Sequence, residues 1–436
     1  MKTKASSRVF LRAFLFRAFL SSLSVTALSL AVVSSVQASQ ASPAAAAVNR
    51  FGLDFYNRLE SDKNVCFSPF SIETALAMVR AGTAGETRAE MDRALYLPAA
   101  ETNSDASFAA LLRSLGQIET ESAARAKPSA GWGGNGQSIT LRVSNRLFGQ
   151  EGYPFRESYL ALLRDKFGAP LELLNFAADP AGATHHINAW VEERTNGRIA
   201  DIIPGPLAPS TRLLLINALY LKAPWATEFS SGATVPKLFY LGLGSGAAQT
   251  ASVATMNGKL QLGYAKRDGY TLVTLPYNHP DLQCVILVPD AIDGLKGLES
   301  KLTPALLEEC AQLPPQEIIL SLPKFKIAPP TIDLVSILSE LGIKRLFQPN
   351  AELDPMAAPQ NGLPLLFSKV YHKAFISIDE KGTEAAAATV AMALSMGIVR
   401  SPTPPIEVKV DRPFLFAIQH RPSGSCLFLG RVVDPR

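Results

Sequence analysis

Hydrophobic positions along the chain follow two spacings, and each predicts its own elements. Over residues 48–59 they recur at Phe51, Phe55 and Leu59, the i, i+4, i+8 rhythm of an amphipathic helix. Residues 64–72, Asn-Val-Cys-Phe-Ser-Pro-Phe-Ser-Ile, lead into a helical run over 73–81. Pro69 suits the first helical position there, and Ser68 and Ser71 suit capping it. Residues 139–148 alternate as a strand does, whereas 187–197 read as a helix stopped by Gly197. Residues 213–221 form an unbroken apolar run, the mark of a strand covered on both faces, with Asn217 inside it. A buried amide without a partner costs about 1–3 kcal/mol, so Asn217 needs one. Near the C-terminus, residues 408–418 and 424–433 predict a hairpin of buried strands with Gly424 near its turn.

One stretch fits neither spacing. Residues 380–389, Glu-Lys-Gly-Thr-Glu-Ala-Ala-Ala-Ala-Thr, have the alanine content of a surface helix. Yet Phe375, Ile376 and Ile378 before them have strand character, and Gly382 interrupts a helix at its start. With strand alternation, Thr383, Ala385, Ala387 and Thr389 share one face, and Glu384, Ala386 and Ala388 the other. Alanines pack poorly in an ordinary strand. A strand that must slide between two others needs them, because bulk on its inner face would block entry.

Composition changes the picture at the N-terminus. Lys2, Lys4, Arg8, Arg12 and Arg17 precede an apolar, serine-containing run that ends in Val36-Gln37-Ala38, the pattern of a cleaved secretory leader over 1–38. An uncleaved anchor is the alternative, since the run nearly spans a bilayer. The formal charge of +4 belongs to this leader: without it the chain carries 37 Lys+Arg against 38 Asp+Glu. Nucleic acid and other polyanions are therefore not expected partners. Residues 39–47 read as a flexible linker and 48–436 as a single domain, with 129–138 a surface loop inside it. Cys66, Cys284, Cys310 and Cys426 form no C-x-x-C pair, so metal and redox readings lack support, and a disulfide stays open. No G-x-S-x-G, H-E-x-x-H or P-loop signature occurs, and Gly242-Leu-Gly-Ser-Gly246 reads as a turn.

The stretch 380–389 resembles the hinge of the reactive loop of serpins, the serine protease inhibitor superfamily, in which the loop spans about 380–405 here. The segment 64–72, Gly82-Thr-Ala-Gly85-Glu-Thr87, Leu320-Ser-Leu-Pro-Lys324 and the C-terminal pair extend the resemblance over nearly the whole chain after the leader. It implies an α+β fold: a large, mostly antiparallel central sheet, two smaller sheets and about eight or nine helices, with the loop exposed. It also implies that Ser68, Ser71, Asn217 and His372 form a polar gate where that sheet opens, and that Lys324 pairs with Glu380 at the base of the loop. Family spacing from Gly382 places the cleaved bond at Met396–Gly397, with Arg400–Ser401 as a rival.

The expected activity is suicide inhibition. A serine protease attacks the loop and forms an acyl-enzyme, and the freed hinge inserts into the sheet before deacylation. Methionine with Ala393 and Leu394 upstream suits an elastase- or chymotrypsin-like pocket, whereas Arg400 would suit a trypsin-like one. The alternatives are a non-inhibitory serpin with a binding or chaperone role, and an inhibitor of cysteine proteases. The leader implies an exported protein, secreted or periplasmic, free of the membrane after cleavage; a monomer needing no cofactor is expected. A heparin-type activator is not expected, because the helix-like residues 107–120 hold only Arg113 as a cation.

Overall fold

The computed structural model describes residues 42–60, 62–97, 104–126, 137–241, 249–359, 364–384 and 405–436. The leader, the loops 129–136 and 242–246, and the reactive-loop residues from Ala385 to 404 lie outside the described residues.

A sheet of seven strands forms the centre of the fold. Across it run Phe325–Ile327, Phe367–Asp379, Leu213–Pro224, Thr140–Gln150 and Glu172–Leu174, with the two-residue strand Gly382–Thr383 between Phe367–Asp379 and Leu213–Pro224. Ile332–Asp333 pairs with Phe367–Asp379 off this path. The predicted buried strand is correct: in Leu213–Pro224 every residue but Lys222 is buried. Its alternation divides the interior. Leu213, Leu215, Leu219 and Leu221 face the main core, whereas Leu214, Ile216 and Ala218 face a second core beneath the helix Pro180–Arg194. That helix brings Ile187 and Val191 onto the sheet, an i, i+4 pair. Asn217, in phase with the odd positions, therefore points to the main-core side, toward the helix Pro69–Arg80 packed there.

The other expected sheets are joined. The 19-residue strand Gln249–Arg267 pairs with Tyr270–Pro276 along one part, and with Val235–Leu241 and Pro315–Pro323 along another. The result is one nine-stranded ladder where two smaller sheets were expected. The described residues contain nine helices.

Two boundaries differ from the sequence reading. Residues 43–47 are helix, not linker: Ser42 accepts from the Ala45 N–H at 3.2 Å, Pro43 takes the first position, and Ala44, Ala45 and Ala47 are buried. The apolar rhythm begins too late to show this, since alanine carries little weight in such a pattern. The predicted strand over 408–418 is also two strands. Ile406–Lys409 pairs parallel with Pro315–Pro323, and Pro413 follows; then Phe414–His420 forms the hairpin with Ser425–Val432. Proline cannot donate to a ladder, which accounts for the break.

Candidate functional site

The site is a seam in the central sheet. Phe367–Asp379 and Leu213–Pro224 are joined in parallel, from Phe367 opposite Leu213 to Phe375 opposite Tyr220. His372 sits directly opposite Asn217, and Asn217 lies opposite Asn145 on Thr140–Gln150. Three strands thus place one row of polar side chains at the same level. Ser68 and Ser71 meet that row from the helix Pro69–Arg80. Ser68 caps it, accepting from the Ser71 N–H at 3.0 Å, while Pro69 takes the first position.

Every predicted gate residue is brought together, and all four are fully buried. His372 Nε2 accepts from the Ser68 N–H at 3.2 Å, so the ring proton lies on Nδ1 and is donated to Asn217 Oδ1. Asn217 Nδ2 in turn faces the Ser71 carbonyl oxygen at 2.8 Å, Ser71 Oγ at 2.6 Å, and Asn145 Oδ1. Ser71 is no cap; its hydroxyl donates to Asn145 Oδ1 at 3.2 Å. Asn145 was not anticipated, since an asparagine on an alternating strand reads as solvent-facing. Breaking the seam exposes or orphans all of these groups at once.

Burial lowers His372 to about 3, against an ordinary value near 6.5. The unfolded chain therefore binds a proton that the folded chain refuses, and stability falls as pH drops from 6.5 towards 3. His420, lowered to about 4 by burial, adds to the same trend. His372→Gln should remove one proton's share of it, ~1.4 kcal/mol per pH unit. Urea unfolding across that range measures this. The stability gap between wild type and variant should narrow with falling pH; a constant gap would mean His372 titrates normally.

Above Phe375 and Tyr220 the seam parts, and the hinge enters. Gly382 and Thr383 pair with Asp379 and Ile378 on one side and with Pro224 and Ala223 on the other. Gly382 has φ 152°, and a Cβ there would lie 2.1 Å from the Ala223 carbonyl oxygen, so only glycine fits. Thr383 is fully buried, with its hydroxyl 2.5 Å from that of Tyr277. Tyr277 stacks on Trp225 at 4.7 Å, and Trp225 Nε1 donates to the Asp379 carbonyl oxygen at 2.9 Å. The Trp225 and Phe229 N–H groups donate to the carbonyl oxygens of Lys381 and Glu380. The chain turning into the loop is thereby held by its backbone.

The expected ion pair is present: Lys324 Nζ lies 2.9 Å from Glu380 Oε2, and Thr234 Oγ1 donates to Glu380 Oε1 at 2.8 Å. Burial alone would raise the Glu380 carboxyl, but these hydrogen bonds outweigh it and hold the group below its ordinary value. Glu384 points to the opposite face from Thr383, as strand alternation required, and pairs with Arg198 in the segment after Pro180–Arg194. Its backbone leaves the strand region, with φ 47°. Pairing with Leu213–Pro224 stops at Thr383 among the described residues, whereas the Glu384 N–H still donates to the Ser377 carbonyl oxygen at 2.7 Å. Arg198, Trp225, Tyr277 and Thr234 escaped the sequence reading; only Trp225, an isolated indole following a buried strand, offered a signal. Ala385, Ala386, Ala387, Ala388 and Thr389, and both candidate bonds, Met396–Gly397 and Arg400–Ser401, lie outside the described residues. The cysteines are free and buried, and burial raises all four thiols, Cys310 to about 12.

Comparison with known proteins agrees with this fold. The family described as Serpin (serine protease inhibitor) matches residues 46–435. The leukocyte elastase inhibitor of Bos taurus is 35% identical over 401 residues, covering 89% of this chain and 99% of that protein. An uncharacterized serpin-like protein of Thermococcus kodakarensis is also 35% identical, over 91% of this chain and 87% of its own length. Among solved structures, uncleaved ovalbumin superposes with a TM-score of 0.74 at 25% identity, covering 90% of this chain and all of the other. Human thyroxine-binding globulin complexed with its hormone gives 0.73 at 25% identity, over 90% of this chain and 98% of the other. The chain belongs to the serpin family.

Proposed function

We propose that this protein is an exported, monomeric suicide inhibitor of a serine endopeptidase with an elastase- or chymotrypsin-like pocket. The observation that carries the proposal is the seam: two strands in parallel contact, parted at one end by Gly382 and Thr383. Parallel neighbours with no strand between them leave room in the topology for one more, antiparallel to both. Small residues follow the hinge in sequence, so an entering strand meets no bulk. Attack at Met396–Gly397 forms the acyl-enzyme and releases the hinge. Insertion then buries the loop, adds a strand to the sheet, and carries the protease with it before water completes hydrolysis. The native state must be kinetically trapped for this to work, with its lowest free energy withheld until cleavage. The basic and apolar leader supports export. No cofactor or polyanion enters the scheme.

A second reading is a ligand-binding serpin, cleaved without trapping anything; a solved relative carrying thyroxine favours it. Incubation of the chain lacking 1–38 with elastase-, chymotrypsin-, trypsin- and papain-like enzymes separates the readings. The inhibitor reading expects an SDS-resistant adduct with one of the first two, and a released peptide beginning at Gly397. A peptide beginning at Ser401 moves the specificity to trypsin-like enzymes, an adduct only with the papain-like enzyme changes the class, and cleavage without any adduct rejects inhibition.

A further inference from the structure

A cleft of about 380 Å³ lies far from the reactive loop in sequence, between the helices Pro69–Arg80, Ser104–Ala126 and Glu157–Phe167. Its volume falls within the usual range for small-ligand sites, roughly 300–1,000 Å³. Phe108, Leu112, Leu162 and Phe167 line it, with Ala77 and Ala81 keeping one wall low. Thr74 also borders it, but its hydroxyl is committed to the Phe70 carbonyl oxygen at 2.8 Å. The lining thus offers apolar surface with little call for hydrogen bonds from a ligand.

Charge enters only at three further lining residues, Arg113, Asp165 and Lys166, all of them exposed. Asp165 is paired with Arg164, at 3.0 Å, so its charge is answered from its own helix. Among the described residues, neither Arg113 nor Lys166 has a carboxylate partner. An apolar trough bordered by two unanswered cations and one neutralised anion selects a particular kind of molecule. It must have an apolar body without internal polar groups, and a single anionic head to meet the cations.

We propose that this cleft binds an unbranched fatty-acid-like carboxylate, its chain between the three helices and its head against Arg113 and Lys166. The chain should carry affinity, at about fourfold per buried methylene, and the two cations should carry selectivity for charge sign. The proposal does not rest on loop cleavage, so it is testable on the intact chain whether or not the protein inhibits a protease.

The test is calorimetric titration of the chain lacking 1–38 with dodecanoate, octanoate and dodecyltrimethylammonium, each below its micellar concentration. Dodecanoate should bind with a Kd of ~10–100 μM, and octanoate at least ~10-fold more weakly. The cationic amphiphile should bind at least ~10-fold more weakly than dodecanoate, since the same tail would bring the wrong charge. Arg113→Glu with Lys166→Glu should invert that preference; both side chains are exposed, and circular dichroism confirms that the variant is folded. Dodecanoate binding weaker than ~1 mM, an affinity independent of chain length, or a preference untouched by the double charge reversal would each overturn the proposal.

Discussion

On the proposed mechanism, Thr383→Arg turns the protein from an inhibitor into a substrate. Thr383 is fully buried between Ala223 and Ile378, and its hydroxyl meets that of Tyr277. A guanidinium cannot take that place without losing water, and no carboxylate among its described contacts would answer it. The intact variant is expected to hold the arginine outside the sheet, so the penalty falls on its entry during insertion, where even ~3 kcal/mol slows the step about 100-fold. Insertion competes with deacylation, so a 100-fold slowing hands the outcome to hydrolysis. The protease should cut the variant at the wild-type rate, because the bond it attacks lies well outside the hinge. What should vanish is the SDS-resistant adduct, with the number of inhibitor molecules consumed per enzyme rising by at least ~10-fold. Thr383→Ser keeps the hydroxyl and the size, and should behave as wild type. Undiminished adduct from the arginine variant would mean that Thr383 need not stay buried for trapping.

Replacing Glu73 should stabilise the native protein. Glu73 lies on the helix Pro69–Arg80, fully buried, and neither of its carboxyl oxygens has a hydrogen-bond partner among the described residues. Burial raises the group well above its ordinary value of 4.5. A carboxyl whose folded value is raised contributes its full share of stability below pH 4.5, where both states are protonated. As pH rises, the unfolded chain gives up the proton first, and stability drains away until the folded group also ionises. Glu73→Met fills similar volume without polar atoms and should gain about 1–3 kcal/mol near neutral pH. Glu73→Gln isolates the titration. It should leave the amide as poorly satisfied as the acid, yet remove the loss with rising pH. Chemical unfolding at pH 4.5 and at neutral pH measures both. A methionine variant less stable than wild type at neutral pH would show that the carboxyl has partners that offset its burial.

The two variants touch opposite aspects of the same seam. Ser68 and Ser71 sit on the helix that carries Glu73, and Gly382 and Thr383 sit at the far end of the strands those serines meet. On the proposed mechanism the sheet must part, and so must not be held too firmly. An acid with no hydrogen-bond partner among the described residues, in the helix beneath the sheet, is expected to keep stability down, as is a slot closed only by two parallel strands.

The sequence carried the parts of this arrangement that depend on periodicity or on isolated polar residues within apolar runs. Asn217 within 213–221 demanded a partner, and His372 supplies it directly across the seam. Thr383 and Glu384 fall on opposite faces, as strand alternation required. What escaped were contacts between segments distant in sequence that leave no local mark. Arg198 follows a helix and reads as an ordinary surface cation, yet it clasps Glu384, 186 residues away. Tyr277 looks like one more core aromatic until Trp225 stacks on it and the hinge threonine reaches it. The joining of two expected sheets by Gln249–Arg267 was hidden for another reason. Its 19 residues alternate unevenly, because different stretches of the strand pair with different neighbours. The false linker at 43–47 shows the opposite weakness: an alanine run looked featureless, although its helix is capped by Ser42 and buried by its smallest side chains.

The central claim is that free energy is stored between the seam and the loop and released when the loop is cut. It is tested most directly by thermal unfolding of the protein before and after limited proteolysis between Gly382 and Pro405. If the freed hinge enters the sheet, the cleaved, two-fragment protein should unfold at least ~10 °C higher than the intact chain, although a covalent bond has been lost. A midpoint that is unchanged or lower after cleavage would contradict the account, and insertion could no longer be the source of inhibition.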